Sequence, residues 1–401
     1  MPAALAPSPV TTGAAVLPAV APVAVVEAEK KNPWELIRFY GRLRASVIGT
    51  TGGPESFTKP TMVAITAAGN HVFANPDVPD ATTFQVAQTR VGFKVNEGGQ
   101  AGGTVEIDFA DFGKSTAAVS SKPRLRAAAI DWKPKDGHKL TFGQTWDLYG
   151  ALQTYHSNWV SNHYYNGQSA FMRHQAMYLY NPEKFEVGVA LGLPGLHNNS
   201  PAMGNLEGTL LPTLAGRFAW KFGEKSRVGA SAIVGNLKYS KDQRRTSASG
   251  LAFFDLNIKK FNFRAEGYFG QNLGNLGALT LSYGSVDADM SEVGGWAAVK
   301  YAGERHGVNL TAGMATVLDP DDVAAGYVRD ADTNVATRTG VGIENSMQVR
   351  GGYQFKPTPG FSLFVEPFAY VTTHKLLDVD TAELDAQRTM WGVEAGAVYI
   401  F

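Results

Sequence analysis

The chain lacks cysteine, an excess of either charge, and any long apolar run after its first residues. Without cysteine it can form no disulfide scaffold, no cysteine-ligated zinc or iron–sulfur site and no thiol nucleophile. Its 36 Lys and Arg balance its 36 Asp and Glu, so the basic excess typical of nucleic-acid binding is missing. Mean hydropathy is -0.14, and no window of about 18 apolar residues follows the N-terminal tail, which excludes a bundle of membrane helices.

The first segment, residues 1–32, consists mostly of Ala, Val and Pro. A secretory signal needs a positively charged start and an unbroken apolar run. Here Lys30 is the first basic residue, and prolines interrupt the run. We predict a flexible periplasmic N-terminal segment over 1–32, acting as a tether or standing as the remnant of a leader.

Glycine and aromatic residues are abundant, with 44 Gly, 22 Phe, 15 Tyr and 7 Trp. Segments in which apolar and polar residues alternate recur along the chain, each long enough for a tilted strand to cross a bilayer. The pattern predicts sixteen strands, near 34–50, 83–95, 102–112, 122–133, 138–149, 169–181, 184–192, 212–222, 226–237, 249–259, 261–271, 292–302, 306–317, 340–355, 360–373 and 387–401.

The connections between these segments alternate between long and short. A soluble sandwich has no reason to separate loop lengths in this way, whereas an outer-membrane barrel has short periplasmic turns and long extracellular loops. The sequence therefore predicts an all-β protein over 33–401: a transmembrane antiparallel β-barrel of about 16 strands, located in the bacterial outer membrane. A lipid face and a water face on every strand explain the neutral hydropathy.

One long loop, near 150–168, contains aromatic and amide residues but no Lys, Arg, Asp or Glu. We predict that it folds inward and forms a constriction; the alternative is an outward loop that packs against neighbours or lipopolysaccharide. Its histidines, His156 and His163, have no third ligand at zinc spacing, so we predict no metal site.

The strand faces opposite the apolar ones are predicted to line a water-filled lumen. On the first strand Arg38, Arg42 and Arg44 share one parity, opposite Phe39 and Leu43. Neighbouring strands add basic and acidic residues at inward positions. The predicted solute-binding residues are Arg38, Arg42, Arg44, Arg90, Lys94, Arg124, Arg126, Arg173, Glu106, Asp108 and Gln144. No catalytic residue and no cofactor are predicted.

The charged residues of the lumen allow two interpretations. Glu106, Asp108, Arg124 and Arg126 form either ion pairs that brace the wall or a mixed lining that contacts solutes. The arginines of the first strand have only Glu394 as a plausible inward acid. An unpaired guanidinium row favours anions and binds carboxylates bidentately.

Acidic residues, by contrast, gather in the predicted long loops. They predict an acidic outer rim above a basic lumen: Asp287, Asp289, Glu292, Asp319, Asp321, Asp322, Asp330, Asp332, Asp378, Asp380, Glu383 and Asp385. The run 319–322 lacks ordered calcium-loop spacing, so we interpret it as solvated surface.

Three short motifs occur in order along the chain: Gly-Gly-Thr-Val-Glu-Ile-Asp-Phe at 102–109, Arg-Leu-Arg at 124–126 and Phe-Gly-Gln-Thr-Trp at 142–146. In residues and spacing they resemble the DcaP-like trimeric outer-membrane porins, most clearly over residues 83–180. The resemblance implies a sixteen-stranded homotrimer whose basic constriction passes small anions, particularly dicarboxylates. Such porins can carry an N-terminal coiled coil, which residues 1–32 do not match.

The function predicted from these features is that of an outer-membrane porin, a passive channel for small hydrophilic solutes that prefers anions such as dicarboxylates. Its expected partners are membrane lipid, lipopolysaccharide, two further copies of the chain and small anionic solutes, with no nucleic acid. Two alternatives stay open: a membrane-embedded hydrolase, and a structural or adhesive barrel that acts through its loops. We predict no enzyme activity, because no Ser, His and Asp share a persuasive position on adjacent strands.

Overall fold

The computed structural model describes most of the chain between residues 33 and 401. The described residues are 33–51, 63–65, 71–73, 80–86, 88–109, 123–155, 163–193, 212–223, 225–238, 244–279, 289–318, 326–329, 336–339, 343–377 and 383–401. Residues 1–32 therefore lie outside them. So do His156 and the acidic residues Asp287, Asp319, Asp321, Asp322, Asp330, Asp332, Asp378 and Asp380.

The described chain is almost entirely β-structure. Its strands are β1 Ile37–Thr50, β2 Val63–Ile65, β3 His71–Phe73, β4 Ala81–Gln85, β5 Arg90–Val95, β6 Ala101–Phe109, β7 Pro123–Trp132, β8 His138–Trp146, β9 Met172–Tyr180, β10 Phe185–Gly192, β11 Thr213–Phe222, β12 Ser226–Lys238, β13 Arg244–Ile258, β14 Phe261–Gln271, β15 Ser291–Ala302, β16 His306–Val317, β17 Gly326–Arg329, β18 Ala336–Thr339, β19 Ile343–Thr358, β20 Phe361–Leu377 and β21 Glu383–Ile400. Short 3-10 helices occupy Pro33–Leu36 and Gly274–Leu276. No helix in the described residues is long and apolar enough to span a membrane.

The main sheet closes on itself into a barrel. All register pairs in this sheet are antiparallel, and β1 pairs with β21 along the seam from Arg42↔Ile400 to Thr50↔Gly392. β2 with β3 and β17 with β18 form separate small hairpins within long loops. Closure leaves no open sheet edge, which satisfies the backbone hydrogen bonds that lipid cannot satisfy.

The second strand of the barrel is broken by a bulge. β1 pairs with β4 over its second half and with β5 over its first half. Between them lies Gln88, whose φ is 68° and whose side chain is buried. Counted as one broken strand, β4 and β5 bring the barrel to sixteen, as the sequence predicts.

Burial alternates along the strands. β16 is typical, because its residues switch between exposed and buried almost without exception. Exposed side chains such as Leu310 and Met314 form an apolar outer surface, whereas Thr311 and other polar residues point inward. A closed wall that is apolar outside and polar inside suits lipid on one side and water on the other.

The tight turns and the long loops lie at opposite ends of the barrel. At the turn end, two outward histidines bind tyrosines of the adjacent strand: His138 Nδ1 lies 2.7 Å from Tyr178 Oη, and His306 Nδ1 lies 2.8 Å from Tyr353 Oη. His138 also stacks on Tyr180, with ring centroids 4.5 Å apart. These rings belong to the aromatic girdle expected where a barrel wall meets the lipid head groups.

Two of the eight predicted long loops are short in the structure. The sequence pattern assigned residues 238–248 and 374–386 to loops, but β12 and β13 leave only 239–243 between them, and β20 and β21 leave only 378–382. The strands continue beyond the apolar alternation because backbone pairing does not need an apolar face once the strands leave the membrane.

Candidate functional site

A long segment between β8 and β9, residues 147–171, is packed against the inner faces of the wall; we call it the inward loop. Its described parts, 147–155 and 163–171, contain buried aromatic side chains, among them Tyr149 and Tyr164. Arginines on β11, β12 and β14 donate to its backbone carbonyls: Arg217 to Leu148 (2.9 Å), Arg227 to Ala151 (3.1 Å) and Arg264 to Gln153 (3.3 Å). The hydrogen bonds of these arginines therefore hold the inward loop against the wall.

Carboxylates also stabilise this loop, because they accept hydrogen bonds from its backbone N–H groups. The Glu266 carboxylate accepts a bond from the Leu152 N–H at 2.5 Å and from the Trp296 indole N–H at 2.9 Å. Asp147 accepts from the Tyr149 N–H at 3.0 Å and from Arg173 Nε at 2.9 Å. Because these groups are buried, losing either acceptor would leave a donor unsatisfied.

The far end of the loop approaches the wall closely at one glycine. Gly167 has a φ of 99°, and a Cβ on it would meet the carbonyl oxygens of Gly295 and Met314. Only glycine combines this backbone conformation with such a close approach. The loop is thus seated on β15 and β16.

A second long connection, residues 272–290, also folds inward in its described parts and packs against the inward loop. The Ala170 N–H donates to the Leu276 carbonyl at 2.7 Å, and the Tyr165 N–H donates to the Gly277 carbonyl at 2.9 Å. Leu273, Leu276 and Ala278 join the apolar cluster formed by the inward loop and the wall. Sequence reasoning missed this element; the apolar run 276–281 within a predicted extracellular loop was the available signal.

Four arginines and two carboxylates form a polar group on the inner faces of β1 and β5–β7. Arg124 binds Asp108 through Nε (2.9 Å) and Nη2 (2.7 Å), and Arg126 lies 2.7 Å from Glu106 and 3.4 Å from Asp108. Arg90 lies 3.9 Å from Glu106. The cluster thus has the geometry of ion pairs that connect neighbouring strands of the wall. Its two acids are shared among three arginines.

Arg42 and Arg90 lie directly opposite each other in the β1–β5 ladder. In the described chain Arg42 has no carboxylate partner; it donates to the Gln88 carbonyl (2.9 Å) and side-chain oxygen (2.5 Å) at the bulge. Like charges at directly opposed positions destabilise a sheet. This arrangement is the least neutralised part of the predicted solute-binding set.

The Phe-Gly-Gln-Thr-Trp motif shapes this wall. The β6–β7 register shifts after Glu106, and Gln144 Nε2 donates to the Leu125 and Arg126 carbonyls at 2.9 and 3.0 Å, which stabilises the bulge. The Trp146 ring lies 5.0 Å from the Arg126 guanidinium carbon, a cation–π contact. Gln144 and Trp146 thus fix the direction in which Arg126 points.

The other predicted residues lie apart from this group. Arg38 Nε is 2.5 Å from Glu97 in the first periplasmic turn, and Lys94 pairs with the same carboxylate. Arg44 is buried in an ion pair with Glu394. Arg173 is 3% exposed and is bound to Asp147 and to the Leu193 carbonyl, an environment that favours an anchoring role over contact with solutes.

The structure also contains a basic cavity that the sequence did not indicate. It measures about 840 Å³ and extends from Arg42 and Tyr155 toward the periplasmic turns. Lys300 and Lys356 line it, both at inward positions of their strands. Strand parity within the predicted strand 292–302 would have assigned Lys300 to the lumen, whereas Lys356 lies one residue beyond the predicted strand 340–355. Among the described residues, His, Asp and Glu form no group suited to holding a metal ion.

The closed wall, the apolar outer face and the interior narrowed by loops define a sixteen-stranded β-barrel of the bacterial outer membrane. No protein-family model matches the chain, and no curated protein matches it in sequence. Solved structures are similar in fold. The outer membrane channel DcaP of Acinetobacter baumannii has a TM-score of 0.66 and 16% identity, covering 91% of this chain and 97% of that chain.

Two further solved structures share the architecture. An anion-selective porin from Comamonas acidovorans has a TM-score of 0.57 and 13% identity, covering 91% of this chain and 99% of that one. Salmonella typhi OmpF in complex with daunomycin has a TM-score of 0.54 and 11% identity, covering 91% and 97% respectively. The fold resemblance to DcaP implied by the three sequence motifs is thereby confirmed.

Proposed function

We propose that the chain is a porin, a passive channel for small hydrophilic solutes that prefers anions, dicarboxylates among them. The anion preference is inferred from Arg42 and Arg90, which lie directly opposite each other on β1 and β5. The acid within ion-pair distance of Arg90 is Glu106. Such a pair lowers its own electrostatic energy when an anion lies between the guanidinium groups. The solved neighbours described as a channel and as an anion-selective porin support this proposal.

The proposed mechanism needs no catalytic group. Water fills the lumen, the inward loop limits solute size, and the opposed arginines attract carboxylates. The shared acids Glu106 and Asp108 weaken the hold of the neighbouring arginines, so a bound anion can leave. Conduction requires this balance of attraction and release.

Reversal potentials across a KCl gradient test the proposal. Purified protein in planar bilayers should give stepwise conductance with anion preference, and Arg42→Gln with Arg90→Gln should reduce the anion-to-cation permeability ratio roughly twofold or more at low salt. A charge-matched control, Lys184→Gln with Lys225→Gln, removes two exposed turn lysines and should leave the ratio unchanged.

The two alternatives predict different results. Absence of stepwise channels would favour an adhesive or structural barrel over a porin. Hydrolysis of a peptide or lipid that is lost on changing a single histidine would instead favour an enzyme.

We also propose that the protein assembles as a homotrimer in lipid and lipopolysaccharide. Around the seam the outer wall has an apolar hollow of about 540 Å³ lined by Leu43, Ala45, Val86, Phe109 and Tyr399. Association in lipid depends on close packing, and side chains of a neighbouring copy can fill a hollow of this kind. Light scattering of the detergent-purified protein tests the proposal, and a monomer mass would contradict it.

A further inference from the structure

The periplasmic half of the lumen contains a second group of cations, in the cavity that Arg42 also lines. Lys300 on β15 and Lys356 on β19 line the 840 Å³ cavity, and neither has a carboxylate within ion-pair distance in the described chain. Lys300 and Lys356 line the same cavity, so their like charges repel each other. The one acid among the described lining residues is Glu304, which is exposed in a turn.

Neutral polar groups surround these lysines. Asn309 lies opposite Lys300 in the β15–β16 register, and Gln354 is two residues before Lys356 on the same strand face. The side-chain NH2 groups of these two amides can donate hydrogen bonds to an anion. Amides beside two ammonium groups offer a ligand both charge and directional hydrogen bonds.

Tyr155 covers the cavity from the inward loop. It is 9% exposed, and its hydroxyl has no hydrogen-bond partner among the described residues. Lys300 Nζ lies 5.3 Å and Arg264 Cζ 4.8 Å from its ring centroid, and these cation–π contacts fix the ring in place. A tyrosine hydroxyl is protonated at neutral pH, so it can donate a hydrogen bond to a ligand.

We infer that Lys300, Lys356, Asn309, Gln354 and the Tyr155 hydroxyl form a binding site for compact anions that carry two negative charges, on the periplasmic side of the inward loop. We call it the vestibule site. A dianion neutralises both lysines at once and relieves their repulsion, whereas a monoanion leaves one charge uncompensated. The inference rests on the proposed porin function, because solutes reach this site through the lumen.

The position of the site has a directional consequence. A dianion added on the periplasmic side reaches the lysines before it meets the constriction, whereas one added outside must first pass the inward loop. The site should therefore make dianion block of the channel depend on the side of addition.

Side-specific block in planar bilayers tests this inference. Because the chain has no cysteine, Asp136→Cys in an exposed periplasmic turn gives a single attachment point for a bulky, impermeant thiol reagent that identifies the periplasmic side. Succinate or inorganic phosphate is then added to one side at fixed ionic strength, with acetate as the monoanion control. Succinate tests two separate carboxylates, and phosphate tests one doubly charged group.

We expect succinate, phosphate or both to block at lower concentration from the periplasmic side, and acetate to block weakly from either side. Lys300→Gln with Lys356→Gln should raise the periplasmic half-blocking concentration about tenfold, given the strength of charged hydrogen bonds. The matched control, Lys135→Gln with Lys260→Gln, removes two exposed turn lysines at the same mouth and should behave as the parent protein.

Tyr155→Phe gives a second, milder test, because it keeps the ring and removes only the hydroxyl. It should weaken the periplasmic block severalfold, and less than the double lysine variant does. Equal block from both sides, or an unchanged half-blocking concentration in the double lysine variant, would overturn the vestibule site while the reversal potential stayed anionic. A cationic reversal potential in the parent protein would instead overturn the proposed function.

Discussion

Individual residues in this barrel have roles that depend on backbone geometry as much as on chemistry. Gly143, in the Phe-Gly-Gln-Thr-Trp motif, has a φ of 124°, and a Cβ there would meet the Ala128 carbonyl oxygen. The glycine lets β8 lie close to β7 where Gln144 holds the bulge that directs Arg126. The glycine and glutamine of the motif thus have structural roles in the barrel wall.

Gly143→Ala should destabilise the barrel by about 1–3 kcal/mol, the usual cost of a strained backbone. Gly250→Ala is the matched control, because nothing lies within 4 Å of the Cβ it would add. The heat-modified mobility of the folded barrel on gels, measured against temperature, checks the difference. Equal midpoints for the two variants would contradict this role of Gly143.

The first periplasmic turn contributes a pH-dependent interaction. Bonds from Arg38 and Lys94 lower the pKa of Glu97 from 4.5 to about 2. Because the pKa is lowered in the folded state, the stabilisation is present above pH 4.5 and is lost as the pH falls toward 2. Glu97→Gln should therefore lower the midpoint of unfolding at neutral pH and match the parent protein near pH 2.

Salt distinguishes this effect from a packing defect. Glu97 is 43% exposed, so its ion pairs are screened, and the difference at neutral pH should shrink in concentrated salt. A difference between Glu97→Gln and the parent that is the same at all pH values would exclude the ion pairs as its cause.

At the scale of elements, charged side chains stabilise the two connections that fold inward. From strand parity alone, these side chains would be expected to face the water of the lumen. Arg217 and Arg264 face inward, yet they donate to the loop backbone and pair with acids of the wall, Glu186 and Asp255. The charge that solutes meet is consequently smaller than the number of inward arginines suggests. Strand parity predicts whether a side chain points into the lumen, but it does not predict whether a loop covers that side chain.

Weakening an anchor of the inward loop should change the channel itself. Glu266→Ala removes the acceptor of the Leu152 N–H and the Trp296 indole, so the loop should become more mobile and the mean conductance should rise, by roughly a quarter to a half, with more open-channel noise. Glu183→Ala, in an exposed turn, is the control. Single-channel recordings that show identical conductance and noise would exclude Glu266 as an anchor.

Much of the whole molecule could be predicted from the sequence because a membrane barrel imposes a strict period of two and a strict alternation of connections. Strand number, orientation and the outward face followed from those two patterns. The bulge at Gln88 could not be predicted, because one inserted residue barely alters the alternation. Lys300 shares the inward parity of its predicted strand, but Lys356 could not be placed because the strand continues beyond residue 355, where the sequence predicts a turn.

The seam between β1 and β21 should control the stability of the whole barrel. Phe401 exchanges backbone bonds with Gly41, at 3.0 and 3.1 Å. Deleting residues 400–401 removes these bonds and the Arg42↔Ile400 pair, so we expect the heat-modified transition to fall by several degrees. Phe401→Leu keeps the backbone bonds and should change it less; equal losses would assign the effect to the ring.

The seam also sets an order of events in time. Arg44 and Glu394, which pair across it, are 350 positions apart in the chain. A partial product of translation that lacks β21 cannot make this contact, so its wall would have two unpaired strand edges. Contacts of such sequence separation form slowly, and open edges invite pairing between chains. The newly made protein therefore depends on being kept apart from other copies until β1 and β21 pair.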